Sequence, residues 1–231
     1  MPLRIGFDMD GVLADLSSAY REVEERLFAA PSEPRSLQPA PPSEQRAARR
    51  AGRSADNEGG EGRRRRDAIW RAIQETPEFW TTLKPVEPGA VRRIHQLMLQ
   101  HRWEVFFITQ RPATQGDTVQ RQTQRWLMKQ GFDVPSVLVI NGSRGAAAGA
   151  LGLSYHVDDS PQNCLDVMAE GRAKPILIVP SDQELTGQKA RGLGIGVART
   201  IGECLTILEQ VSAYRDEPGV LQKVAAAVGW K

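Results

Sequence analysis

Asp8 and Asp10 stand two residues apart in the run Asp8-Met9-Asp10-Gly11-Val12-Leu13-Ala14-Asp15. On an extended chain, residues i and i+2 project to the same side, so both carboxylates can face one point. Carboxylates held that close repel each other unless a cation sits between them or one takes a proton. Magnesium suits such a pair, because it takes hard oxygen ligands and keeps room for water and phosphate. Gly11 allows a sharp turn directly behind them. The plainer alternative is two acids that cap a turn, and the apolar run leading into Asp8 argues against it.

Three more polar clusters follow short apolar runs. In Ile108-Thr109-Gln110-Arg111-Pro112, the hydroxyl of Thr109 precedes a loop whose free amides suit a phosphate. Gln110 and Arg111 are candidate substrate contacts there. In Asn141-Gly142-Ser143-Arg144-Gly145, Ser143 can cap a helix with Arg144 in its first turn. A guanidinium beside a helix N-terminus attracts an anion. In Val157-Asp158-Asp159-Ser160-Pro161-Gln162-Asn163, two adjacent acids can supply metal oxygens and Asn163 an amide to steady them. Singly, each cluster reads as well as a helix cap, a β residue or a surface charge. Together, an acid pair, a hydroxyl, a cation and a second acid pair make a metal-bound site for phosphoryl chemistry.

The elements that must position these residues can be read from periodicity. Apolar runs predict strands over Leu3–Phe7, Glu104–Thr109, Val137–Ile140, Ser154–Val157, Pro175–Val179 and Gly196–Ala198. Helical spacing predicts helices over Leu16–Phe28, Asp67–Glu75, Ala90–His101, Thr114–Gln130, Ser143–Leu151, Pro161–Glu170, Ile201–Val211 and Gly219–Val228. Thr76–Trp80 is expected to break the second of these helices, and Gly131 to close the fourth. Apolar strands alternating with helices imply an α/β fold whose parallel sheet is covered on both faces. In such sheets ligands bind beyond the carboxyl ends of the strands, where all four clusters lie.

The sequence has 231 residues, 40% apolar and 25% charged, with a net charge of +2. That suits one core plus a small accessory module, and the net charge favours no class of partner. Cys164 and Cys204 are too few for a disulfide framework and read as buried free thiols. No signal peptide or membrane span is apparent, so a cytoplasmic protein is expected. Residues 31–66 are rich in Pro, Arg, Gly, Ser and Ala and are expected to form a flexible insertion. Its run Arg63–Arg66 could bind a phosphate-rich partner or remain solvated.

The four clusters resemble the motifs of haloacid-dehalogenase-like phosphatases. "DMDGVLAD" is similar to the first motif, "ITQR" to the second with Thr109 in the hydroxyl position, and "SRG" to the third. In the third, Arg144 stands where lysine is commoner; Lys129 and Lys174 are the alternatives by position. "DDSPQN" is similar to the fourth. The resemblance covers about Leu3–Leu13 and Glu87–Leu208. Its nearest flavour is the cytosolic deoxyribonucleotidase-like group, from which the 31–66 insertion departs.

The resemblance implies a Rossmann-like three-layer core of residues 1–15 and 84–231, with a small helical cap at 16–83. It implies Mg²⁺ held by Asp8, Asp10 (through its backbone carbonyl) and Asp159, supported by Asp158. Asp8 would be the nucleophile and Asp10 the acid and base. Thr109 and Arg144 would hold the transferring oxygens. Asp10 favours a phosphatase or phosphomutase over dehalogenase-type members, which lack that acid, and over transport-ATPase-type members, which carry threonine there. Trp70, Phe79 and Trp80 of the implied cap could stack on a nucleobase or pack the cap onto the core. The expected partner is a small phosphomonoester, a (deoxy)nucleotide among the candidates, rather than nucleic acid or a membrane. The rival readings are a binding module with lost turnover and a nucleic-acid end-processing phosphatase.

Overall fold

The computed structural model describes residues 2–28, 55–213 and Trp230, with the backbone alone for 55–59. Six strands form one sheet: β1 (Arg4–Asp8), β2 (Glu104–Thr109), β3 (Val137–Val139), β4 (Tyr155–Asp158), β5 (Lys174–Ile178) and β6 (Gly196–Ala198). Their order is β3-β2-β1-β4-β5-β6, and every neighbouring pair is parallel. Chain order runs outward from β1 to one edge, then returns to β4 and runs to the other. The switch point therefore lies between β1 and β4, where a crevice opens at the carboxyl ends of the strands.

Helices cover both faces. Among the described residues four lie between β1 and β2: α1 (Leu16–Phe28), α2 (Ala55–Glu75), the short α3 (Phe79–Thr82) and α4 (Ala90–His101). The rest are α5 (Val119–Lys129), α6 (Arg144–Leu151), α7 (Pro161–Glu170), α8 (Glu184–Gly192) and α9 (Ile201–Ala213). Alternation along a strand sends successive side chains to opposite faces. On β5, Ile176 and Ile178 join a core shared with α4 and α9. Leu177 between them joins a second core with Cys164 of α7 and Ala190 of α8. Ile69, Ile73, Phe79 and Trp80 of α2 and α3 belong to the first core, together with Ile5 and Phe7 of β1. These layers bear out the three-layer α/β expectation. Both cysteines are free and buried, and burial pushes both thiol pKa values upward.

Several boundaries differ from expectation. The helix expected to resume at Asp67 already runs from Ala55. Arg63–Arg66 therefore lies on a helix, where Arg65 pairs with Glu24 of α1 at 2.7 Å and its guanidinium lies 4.6 Å from the Phe28 ring. A stretch almost without apolar residues gives no 3.6-residue pattern, so its helicity is invisible to periodicity. The remaining part of the expected insertion, residues 31–54, and the helix expected at Gly219–Val228 lie outside the described residues. The helix expected from Thr114 starts at Val119, because Thr118 takes the N-cap and accepts from Arg121 N. The expected break at Thr76–Trp80 holds at Pro77, but Phe79–Thr82 then forms one helical turn. Helix α8 was not foreseen. No helix among the described residues is long and apolar enough to cross a membrane.

Candidate active site

The register of the sheet aligns the four clusters. Asp8 pairs with Ile108, directly before Thr109, and Phe7 pairs with Val157, directly before Asp158. Asp8, Thr109 and Asp158 thus end three adjacent strands at the same level. Ser143 caps α6 by accepting from Gly145 N at 2.9 Å and Ala146 N at 3.3 Å. Helix α6 lies so close to α7 that a Cβ on Gly145 would meet the backbone carbonyl of Asp166. The cap and that close packing fix where the first residue of α6, Arg144, begins.

From there Arg144 crosses to Asp8, its Nη2 donating to Oδ1 at 2.5 Å, with both side chains 7% exposed. Arg144 also lies 3.7 Å from Asp158 through Nε. Arg144 is therefore the cation at the nucleophile position. Lys129 ends α5 and Lys174 begins β5, at the amino end of its strand, where its Nζ lies 5.4 Å from the Trp230 ring.

Asp8, Asp158 and Asp159 each offer an oxygen within 4.8 Å of the others'. Asp158 is fully buried and is held by Ser160 N at 2.9 Å, by Asn163 Nδ2 at 3.0 and 3.1 Å, and by His156 Nε2 at 3.0 Å. Burial, then the neighbouring Asp158, raises the Asp8 pKa well above the carboxylate range, against the opposing pull of Arg144. Burial and Asp158 likewise raise Asp159 to about 6. A divalent cation among three carboxylates relieves the cost that both shifts express. The hard-oxygen donor set suits magnesium. The hydroxyl of Thr109 and Arg144 Nε and Nη1 are buried without a hydrogen-bond partner. Buried polar groups are ordinarily satisfied, and these donors match the oxygens of a phosphoryl group.

Behind Asp8 the chain turns as its glycine requires. Gly11 has φ 82°, and its N–H donates to Ala14 O at 3.0 Å. A Cβ there would run into the Asp159 carboxylate. The Asp10 carboxylate lies against Arg111 and close enough for its charge to act on Asp8 and Asp159. Arg111 Nε donates to both oxygens of Asp10, at 3.1 and 2.9 Å, and Nη2 to Oδ1 at 2.6 Å. Arg111 Nη1 donates to Thr123 Oγ1 at 3.0 Å, and the guanidinium lies 4.7 Å from the Trp80 ring. Its side chain is 1% exposed against 21% for Asp10.

Two groups of expected substrate contacts need correction. Arg111 is buried, and its donors are taken by Asp10 and Thr123, whereas its neighbour Gln110 is exposed. Phe79 and Trp80 are buried at 4% and 1%, so neither presents a face for a nucleobase. They pack edge to face, with centroids 5.1 Å apart, and Trp80 Nε1 donates to Pro112 O. Trp70 packs edge-on against Tyr20 of α1 at 5.7 Å. Conversely, His156 had not been singled out. Its position two residues before Asp158 on the same strand, hence on the same face, was the available signal.

No family model and no curated protein matches the chain. Solved structures do. A HAD family hydrolase from Deinococcus radiodurans, with bound phosphate and sodium, superposes with a TM-score of 0.56 at 14% identity, over 95% of this chain and 97% of that one. The fold is that of the haloacid-dehalogenase-like hydrolases. A provisionally named beta-phosphoglucomutase from Thermotoga maritima gives 0.53 at 21% identity, over 90% and 99%. At these identities the haloacid-dehalogenase-like fold is what is shared.

Proposed function

We propose that this protein is a magnesium-dependent phosphomonoester hydrolase that works through a phosphoaspartyl intermediate on Asp8. The observation that carries the reading is the convergence of Asp8, Asp158 and Asp159, with Arg144 on Asp8 and the Thr109 hydroxyl buried beside them without a partner. Asp8 and Asp159, with the backbone carbonyl of Asp10 and the steadying Asp158, would hold the cation. When bound, Mg²⁺ neutralises the repulsion between an anionic nucleophile and an anionic phosphate.

Arg144 occupies one oxygen of Asp8 and leaves the other to attack phosphorus. As that P–O bond forms, the bond to the leaving oxygen breaks. Asp10 supplies the leaving oxygen with a proton. Asp10 then takes a proton from the water that attacks the phosphoaspartate, releasing inorganic phosphate and free Asp8. Thr109 and the open donors of Arg144 stabilise the transferring oxygens. Helices α1, α2 and α3, within residues 16–83, would act as a small cap beside this centre.

The substrate is a small phosphorylated metabolite. With Phe79 and Trp80 buried, base stacking on them does not contribute to its recognition. Hydrolysis of para-nitrophenyl phosphate should require Mg²⁺ and be abolished by EDTA. The Asp8→Asn variant should lose at least about 10³-fold in kcat. Near-normal turnover by that variant would remove Asp8 from the nucleophile role.

A further inference from the structure

We propose that the cleft beside the carboxylate triad receives a second anionic group of the substrate, at Arg21 and Arg199. The inference rests on the hydrolase reading and narrows its substrate class to phosphomonoesters that carry a further carboxylate or phosphate. The cleft has a volume of about 710 Å³ and runs from Gly11 and Asp159 to α1 on one side and the β6–α9 junction on the other. It therefore opens directly from the metal-binding carboxylates.

Its lining carries two guanidiniums, Arg21 and Arg199, and three carboxylates, Asp15, Glu87 and Asp159, of which Asp159 would be offset by a bound cation. Among the described residues neither guanidinium has a carboxylate within ion-pair distance. Arg21 makes only two long contacts, to Ser17 O and Ser18 Oγ, both at 3.4 Å. Glu203, the acid nearest to Arg199 in sequence, turns instead to the backbone and accepts from Arg199 N at 2.7 Å. The acids lining the cleft hold backbone partners or belong to the triad, and Arg21 acts on Asp15 only through space, beyond ion-pair distance. Asp15 accepts from Ser18 N at 2.9 Å, Glu87 accepts from Gly202 N at 3.1 Å, and Asp159 belongs to the triad.

A guanidinium fork matches carboxylate and phosphate oxygens in pairs. None of the residues lining this cleft is aromatic. Tyr20 lines the adjoining cleft at Asp10, Gly11 and Asp159, so what this cleft itself offers a ligand is its two guanidiniums. Both arginines are exposed, so replacing them leaves the core untouched.

Calorimetry in the presence of Mg²⁺ tests the subsite without needing turnover. The probes are propylphosphonate, 3-phosphonopropionate and propane-1,3-bisphosphonate. They share a phosphonate and a three-carbon chain, and differ in the distal group. At least one of the two doubly anionic probes should bind about 10-fold or more tighter than propylphosphonate, as a charge-assisted contact implies. Which of them gains more tells a distal carboxylate from a distal phosphate. In the Arg21→Gln, Arg199→Gln double variant the gap should shrink to about 3-fold or less.

Equal binding of all three probes overturns the subsite and leaves the hydrolase reading standing. So does a gap that survives the double variant. If propylphosphonate and inorganic phosphate both fail to bind with Mg²⁺ present, the hydrolase reading falls, and the subsite with it.

Discussion

Arg111 illustrates how a residue's role depends on what surrounds it. The sequence places it one step past Gln110 in a phosphate-type loop, where it reads as a substrate contact. In the fold Trp80 and Thr123 hold its guanidinium in a buried slot, and its free fork closes on Asp10. Arg111 therefore sets the position of the acid. Arg111→Lys keeps the charge but loses the two-pronged grip. It should slow hydrolysis of an alkyl phosphate about 10- to 100-fold, within the range of general acid catalysis. The loss should be smaller for para-nitrophenyl phosphate, whose leaving group departs without a proton. Combined with Asp10→Asn, the change should add nothing, since it acts through that carboxylate. Additive losses in the cycle would return Arg111 to direct substrate contact. Gly11→Ala is a second expectation at this scale. A positive φ and a collision with Asp159 act together there, so kcat should drop at least about 10-fold and Mg²⁺ affinity should fall, both read from a Mg²⁺ titration of turnover. Asp8, Thr109, Arg144, Asp158 and Asp159 were legible in the sequence because a strand end in a parallel sheet is a fixed address. The Arg111–Asp10 pair was not, because only the third dimension joins residues so far apart in the chain.

At the scale of elements, helix α6 carries Arg144 to Asp8, the proposed nucleophile. Its sequence, Arg144-Gly-Ala-Ala-Ala-Gly-Ala-Leu151, has little side chain to anchor it. The N-cap and the close approach to α7 do that work. Ser143 both caps the helix and donates its hydroxyl to Glu170 of α7 at 2.8 Å. Ser143→Ala should destabilise the protein by about 1 kcal/mol. In a chain of this size that lowers Tm by about 2–4 °C in thermal unfolding. Activity should fall in parallel, because Arg144 is the first residue of the loosened turn. Unchanged Tm together with unchanged activity would show that packing on α7 alone sets the helix. The legibility of elements follows the same physics. All six strands were readable because, in a chain that alternates strands with helices, a short apolar run ending in polar residues fits a buried parallel strand and little else. Helix α8 was missed, since its segment Glu184–Gly192 buries only Gly187 and Ala190, and small residues leave no periodic signal. The early start of α2 was missed for the related reason that residues 60–67 of the helix are all exposed.

Across the whole molecule, the triad ties folding to both protons and metal. Asp159 rises from 3.8 to about 6 through burial and the charge of Asp158. In the metal-free protein a raised carboxyl favours the folded state only while the native site holds its proton. That contribution is full below pH ~4, the unfolded value, and is lost as pH rises through about 6. Asp8 shifts in the same direction. Mg²⁺ reverses the sign, because the cation needs ionised carboxylates and must displace those protons. Its affinity should therefore climb between pH 5 and 7 and level off above. A ligand at 100 times its Kd stabilises by about 2.7 kcal/mol. Each tenfold weakening of Kd from one retained proton removes about 1.4 kcal/mol of that. At one fixed Mg²⁺ concentration, the Tm gained on adding the metal should be clearly larger at pH 7 than at pH 5. Calorimetry at pH 6 in buffers of different ionisation enthalpy should show proton release on binding. Equal Tm gains at the two pH values, with no proton released, would mean that the carboxylates are ionised before any cation arrives. The repulsion that burial and crowding imply would then be balanced by the protein itself, with Arg144 as the countercharge.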